Sequence, residues 1–68
     1  MSDVLTLPLL RHVRERAPLS QEELAERSGL NRVTIARLEL GASARASTIR
    51  KLAKALGVKA TDLYGDAI

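Results

Sequence analysis

Two arginines lie five positions apart in the middle of the chain, with three apolar residues and one threonine between them. A guanidinium group is a planar set of N–H donors that can bond two acceptors at once, either on a phosphate or on the edge of a guanine base. If the segment is helical, Arg32 and Arg37 lie on its outer face together with Val33 and Ala36. This face therefore offers paired hydrogen-bond donors beside apolar side chains. The alternative is a solvated face whose arginines contact phosphate at most.

Residues suited to catalysis or metal binding are few. The chain has no cysteine, which excludes thiol nucleophiles and zinc–thiolate sites. His12, the single histidine, lies among arginines and glutamates, where a solvated surface residue is expected. Asp62 and Asp66 have no histidine or third carboxylate beside them in the sequence, and no phosphate-binding GxxxxGK loop is present. We therefore predict that the chain is not an enzyme and has no catalytic residue, metal site or cofactor.

Length and composition indicate one small domain that spans residues 1–68. A chain this short buries only about 60% of the surface that its unfolded form exposes, so the core is thin. The net charge of +3 permits binding to a polyanion without requiring it. The N-terminus carries an acid and no basic run, and Pro8 breaks the short apolar stretch, so neither a signal peptide nor a membrane span is expected. We expect a cytoplasmic protein whose residues 1–5 are flexible.

Hydrophobic periodicity and helix-end residues predict five helices and no strand, which is an all-α fold. Ser20 and Glu23 have the spacing of a capping box. Asn31 is a good N-cap, whereas Lys59 is a poor cap at the expected start of the fifth helix. Gly29 suits a left-handed helix end. The predicted helices span about 6–16, 21–28, 32–40, 47–56 and 60–64.

The second and third predicted helices are suited to cross each other steeply. Ala25 is small enough for the third helix to pack against the second, and Gly29 tolerates the positive φ that the turn requires. Leu24 and Ile35 then belong to a shared inner surface, and the outer face of the third helix stays exposed. Residues 21–40 are therefore predicted to form a helix-turn-helix.

Two stretches of the sequence resemble the lambdoid phage repressor and Cro family, also called the XRE family. The run 19–39, which begins Leu-Ser-Gln-Glu-Glu-Leu-Ala-Glu and ends Ile-Ala-Arg-Leu-Glu, resembles that family's helix-turn-helix. The run 52–58, Leu-Ala-Lys-Ala-Leu-Gly-Val, followed by Asp62 and Leu63, resembles its fourth and fifth helices. The match covers residues 10–64, and its small and apolar positions recur over four helices.

The resemblance implies a compact five-helix fold like that of lambda repressor and a role in transcription. In that family the second helix of the pair lies in the DNA major groove, and the protein usually binds as a symmetric dimer. The chain is then expected to be a sequence-specific double-stranded DNA-binding regulator, more often a repressor than an activator, that reads a palindromic operator with the helix 32–40. Its dimer is expected to be weak in free solution. Its location would be the cytoplasm in a prokaryotic or phage context, on the nucleoid when bound.

Site residues are carried over by position from the same resemblance. Base contacts are expected from Arg32, Val33, Ala36 and Arg37, with Val33 at a thymine methyl. Arg14 and Glu39 match an ion pair between the first and third helices, the alternative being two unrelated surface charges. Contacts to phosphate, or support for them, are expected from Gln21, Asn31, Thr34, Arg14, Ser43, Arg45 and Ser47. For Gln21 the alternative is an ordinary exposed residue, and for Asn31 it is capping alone.

Two features depart from the family's pattern. The small-residue loop 42–46 has Arg45 as its only charge, which argues against strong nonspecific affinity. Leu40 replaces a polar residue that is common there and is expected to meet a thymine methyl or a partner. Candidate dimer contacts lie at the C-terminal end: Val58, Leu63, Tyr64 and Ile68. For Val58 and Leu63, packing in the core is an equal alternative.

A protein-binding module, such as an antitoxin that holds a toxin, is the other function that this scaffold supports. A surface that docks a protein should be apolar or acidic. The outer face of the third helix instead carries two arginines, hydroxyl or amide groups, and no acid before Glu39. The face therefore favours double-stranded DNA as the partner, with a protein partner as the alternative.

Overall fold

The computed structural model describes residues 4–65, which form five helices and two short strands. The helices surround one core, and the strands pair at the point where the N-terminal segment meets the connection between the third and fourth helices. In chain order the elements are β1 (Val4–Thr6), α1 (Leu10–Arg16), α2 (Gln21–Ser28), α3 (Arg32–Glu39), β2 (Ser43–Arg45), α4 (Ala46–Leu56) and α5 (Thr61–Tyr64).

The two-stranded sheet corrects the all-α expectation. β1 and β2 are antiparallel, with Val4 opposite Arg45 and Thr6 opposite Ser43. Residues 4 and 5, predicted to be flexible, are therefore paired, and most of the predicted loop 42–46 is a strand. Each strand has three residues, too few for a visible alternation of polar and apolar side chains. Pairing satisfies backbone groups that neither segment could satisfy alone, and it leaves Ala44 buried.

The sheet also explains why α1 begins later than the predicted position 6. Thr6 belongs to β1, and the buried Leu7 that follows it belongs to the core. Pro8 lies in the turn before the helix rather than in its first turn, and the backbone N–H of Leu9 donates to the carbonyl of Leu63 at 3.0 Å. These long-range contacts hold the chain out of helical geometry until Leu10.

The ends of α2 and α3 have the predicted caps. Ser20 Oγ accepts a hydrogen bond from the backbone N–H of Glu23 at 3.0 Å, and Glu23 Oε1 accepts one from the N–H of Ser20 at 2.9 Å. Gly29 has the left-handed φ of +76° that ends α2. Asn31 Oδ1 accepts from the N–H of Val33 at 2.8 Å and caps α3. Local sequence thus determines both ends of the turn between the two helices.

Every helix contributes one large aliphatic side chain with no solvent exposure. These five residues are Leu10, Leu24, Ile35, Leu52 and Leu63. All five belong to one buried cluster, so every helix contributes to the same core. Among residues 4–65, no helix is long and apolar enough to cross a membrane.

The C-terminal helix corrects part of the expected dimer surface. The Leu63 side chain is fully buried in the chain's own core, so it is not available to a second copy. Val58 and Tyr64 pack partly against the same core, and Ile68 lies outside the described residues. The helix begins after Ala60 rather than after Lys59, and the Lys59 backbone N–H donates to Asp62 Oδ2 at 2.9 Å.

Candidate nucleic-acid interface

The outer face of α3 is exposed because the inner face holds the helix against the core. Ile35 and Leu38 are 0% and 3% exposed and lie one turn apart. The helical repeat of 3.6 residues then directs Arg32, Val33 and Arg37 outward, and all three are exposed. This surface corresponds to the one predicted from the sequence.

The two arginines of α3 have free donors. In the part of the chain that the structure describes, neither Arg32 nor Arg37 forms a side-chain hydrogen bond or an ion pair. About 140° around the helix axis separates them, so one guanidinium lies on each side of Val33 and of the half-buried Ala36. The arrangement can present two bidentate donors with an apolar strip between them.

A polar cluster joins α1, α2 and α3 beside this face. Arg14 Nε donates to Glu39 Oε2 at 2.5 Å, and Arg14 Nη2 donates to Glu39 Oε1 at 3.1 Å. Gln21 Nε2 also donates to Glu39 Oε1, at 3.0 Å, and Arg14 Nη1 donates to the carbonyl of Leu19 at 2.8 Å. We call Arg14, Gln21 and Glu39 the clamp, because together they fix the end of α3 to the second half of α1 and to the start of α2.

The clamp is ionised and largely shielded from solvent. The Arg14 and Glu39 side chains are 11% and 5% exposed. Burial alone raises the pKa of Glu39, but hydrogen bonds from Arg14 and Gln21 and the Arg14 charge outweigh it and leave this pKa below its ordinary value. The hydrogen bond to Glu39 raises the pKa of Arg14. Both partners therefore stay charged near neutral pH.

Apart from Arg14, which lies in the clamp, the predicted phosphate contacts lie in three places. Asn31 and Thr34 are exposed at the start of α3, where unpaired backbone N–H groups favour anions. Gln21 is half-buried at the first position of α2, with its amide nitrogen in the clamp. The remaining three are exposed on β2 and in the first turn of α4: Ser43, Arg45 and Ser47.

A family model described as "Helix-turn-helix" matches residues 10–63, which include all five helices apart from the last residue of α5. The chain belongs to the XRE-type helix-turn-helix family. No curated protein matches it. A similar solved structure is the high-resolution crystal structure of the restriction-modification controller protein C.AhdI from Aeromonas hydrophila. The two chains are 38% identical, with a TM-score of 0.79, over 84% of this chain and 88% of the other.

Family and fold together make the chain a DNA-binding transcription regulator rather than an enzyme. The helix-turn-helix itself consists of α2, the turn at Gly29 and α3. Among residues 4–65, no group of three His, Asp or Glu side chains is placed to hold a metal ion.

Sequence reasoning missed two features of this helix-turn-helix site. The contact between Gln21 and Glu39 joins positions eighteen apart, and no periodic pattern connects residues at that separation. Arg11 lines a shallow concavity beside the clamp and pairs with Glu15 at 3.3 Å. The sequence signal for this pair is the spacing of four residues between Arg11 and Glu15, which places the two side chains together on one face of a helix.

Proposed function

We propose that this chain is a sequence-specific double-stranded DNA-binding transcriptional repressor or controller that reads the major groove with α3. The observation that carries the proposal is a pair of arginines that have no hydrogen-bond or ion-pair partner among residues 4–65, on the exposed face of a helix whose other side is buried in the core. A major groove is wide enough to admit a helix, and guanine O6 and N7 match the guanidinium fork. Val33, 47% exposed between the two arginines, adds an apolar contact to this face.

In this proposal the base-reading residues are Arg32, Val33, Ala36 and Arg37. The arginines bond guanines, Val33 meets a thymine methyl, and Ala36 leaves room for the base edge. Reading requires that α3 keep its angle to the DNA, and this is the task of the clamp. Three of the five N–H groups of Arg14 donate to acceptors inside the protein. Arg14 therefore mainly positions Glu39, and only its two other N–H groups can donate to a phosphate.

Phosphate contacts set the register of α3 in the groove. Gln21 has a second amide N–H beyond the one bonded to Glu39, and this hydrogen can donate to a phosphate. Asn31 and Thr34 act at the start of α3, and Ser43, Arg45 and Ser47 act from the segment that follows it. All but Gln21 are exposed.

We propose that two copies bind the halves of a palindromic operator, about 34 Å apart. Tyr64 is the described residue best suited to contact the partner copy, since it is half-buried at the end of α5. Ile68 stays a candidate on sequence alone. The solved relative is described as a restriction-modification controller, and control of the genes of such a system is the regulatory setting that we propose.

Selection of bound duplexes from a random pool tests the proposal. We expect a single enriched motif with two inverted halves, and binding that weakens steeply as salt rises because phosphates are neutralised. A matched variant, Arg32→Ala with Arg37→Ala, should enrich no motif while keeping its helical circular dichroism spectrum. A pool that shows no enrichment and a salt slope near zero would instead favour the protein-binding module.

A further inference from the structure

Leu40 is the most exposed large apolar side chain among residues 4–65. It is 88% exposed, against 47% for Val33 and 46% for Leu5. The isolated chain gains almost nothing from the Leu40 side chain, because hydrophobic stabilisation scales with the area removed from water. The residue directly follows the last turn of α3, so its exposure adds to the face that carries the arginines.

Leu40 continues the apolar strip of that face. Its backbone N–H donates to the carbonyls of Ala36 and Arg37 at 3.2 and 3.1 Å, so the chain keeps a helical course to this point. Seven residues separate Val33 from Leu40, which is about 20° short of two helical turns. The two side chains therefore point in nearly the same direction, about 10 Å apart along the axis, with Ala36 between them.

The surroundings of Leu40 indicate what covers it. Leu40 and Ala36 line the same shallow concavity as the clamp and Arg11. The concavity thus brings together arginine and amide groups, the Glu39 carboxylate that is paired with Arg14, and a leucine. A phosphate-bearing partner with an apolar group fits this combination, and DNA has both where a thymine methyl projects into the major groove.

We propose that Leu40 is a second apolar base-reading residue, which packs on the C5 methyl of a thymine at most about three base pairs from the thymine that Val33 meets. The inference rests on the proposed function. The separation follows from the distance of about 10 Å between the two side chains, because successive base pairs along the groove are at least about 3.4 Å apart. Arg37 lies between the two residues in sequence, so the bases between the two thymines should include a guanine.

Matched bases that differ only in the methyl group provide the test. In the selected operator, each thymine is replaced singly by deoxyuridine, which keeps every hydrogen bond and removes the methyl. At the Leu40 position we expect about a fourfold loss of affinity, the value of one buried methyl group. Cytosine and 5-methylcytosine, placed opposite guanine at the same position, should differ by a similar factor in favour of the methylated base.

The Leu40→Ala variant connects the methyl effect to the residue. It should bind the thymine and deoxyuridine duplexes equally well, at the affinity of the unaltered protein for deoxyuridine. Leu9→Ala is the control, because Leu9 is a leucine that is 39% exposed and lies at the N-terminal end of α1, away from the clamp. The Leu9→Ala variant should keep the full thymine preference. Both changes are at exposed positions, and circular dichroism verifies that the variants fold.

Three results would overturn the inference. The first is equal affinity for thymine and deoxyuridine at every position of the half-site. The second is that every thymine preference of the unaltered protein, and not only the one assigned to Val33, survives Leu40→Ala. The third is a loss of self-association by Leu40→Ala in sedimentation without DNA, which would make Leu40 a contact between copies. In each case DNA still binds and the proposed function stands, whereas a protein that binds no duplex at all defeats both proposals.

Discussion

At the scale of single residues, function depends on which polar atoms the fold leaves without an internal partner. Arg14 and Arg37 are both arginines near the same surface, yet Arg14 is committed to Glu39 and Leu19, and Arg37 has no partner among residues 4–65. The sequence predicted the pairing of Arg14 by resemblance and the exposure of Arg37 by periodicity. It could not reveal that Gln21 shares Glu39, because that contact exists only after α1, α2 and α3 have packed.

Arg37→Ala should lower affinity for the selected operator by about 1–3 kcal/mol and relax the preference at one base pair. Stability should change little, since the side chain is exposed and forms no hydrogen bond or ion pair among residues 4–65. Fluorescence anisotropy on the operator and on its single-base variants measures both effects. Arg50→Ala, which removes an exposed arginine from α4, controls for net charge. Equal losses on all sequences would assign Arg37 to a phosphate instead.

Glu39→Ala should destabilise the fold by about 3–5 kcal/mol, because it leaves a shielded guanidinium without its counter-charge. Glu15→Ala is the matched control: its partner Arg11 is exposed, and the Arg11 and Glu15 side chains are 69% and 54% accessible. Such exposed pairs contribute about 0–1 kcal/mol. Urea unfolding of the two variants gives the comparison, and similar losses from both would refute a special role for the clamp.

The same carboxylate makes stability depend on pH. The Glu39 pKa is lower in the folded chain than its ordinary value of 4.5, so the unfolded state binds more protons around that pH. This contribution is complete above pH 4.5 and is lost as pH falls through the folded pKa. The free energy of unfolding of the unaltered chain should therefore decline as pH falls from about 7 to about 3. The decline should be smaller for the Glu39→Gln variant, which lacks the carboxylate. Parallel curves for the two proteins would contradict the prediction.

At the scale of elements, local signals could be read from the sequence and distant ones could not. The capping box at Ser20, the cap at Asn31 and the turn at Gly29 each involve residues within four positions of one another, and all three were predicted. β1 and β2 pair across nearly forty positions, so neither strand has a local signal. The late start of α1 is a consequence of the same pairing, which is why its predicted boundary was wrong.

Gly29→Ala should cost about 1–2 kcal/mol of stability, since alanine is strained at a φ of +76°. Beyond Gly29 and its two chain neighbours, no described atom lies within 4 Å of where the added Cβ would be, so the loss comes from local backbone strain rather than from a clash with packed neighbours. Gly29→Asn should cost less, because asparagine tolerates the left-handed region better. Thermal unfolding ranks the three proteins. An alanine variant as stable as the parent would show that the turn can relax.

At the scale of the whole molecule, one small core supports one reading surface. All five helices share the buried cluster, so damage to any of them should disturb the angle of α3. The net charge of +3 is modest, and only Arg14 and Arg45 among the proposed phosphate contacts of one copy are cationic. We therefore propose that affinity sufficient for regulation requires two copies on one operator, and the buried state of Leu63 limits how extensive their contact can be.

The spacing between operator halves should consequently be decisive. Weakly associated copies cooperate only when both lie on the same side of the duplex, which requires halves about one helical turn apart. Inserting about five base pairs, roughly half a turn, at the operator centre puts the copies on opposite sides, and affinity should fall to that of a single half-site. Inserting about ten base pairs, roughly one full turn, returns the copies to the same side of the duplex and should recover part of the cooperativity. Gel-shift titrations of the three operators measure this, and an unchanged affinity after the half-turn insertion would mean that each copy binds independently.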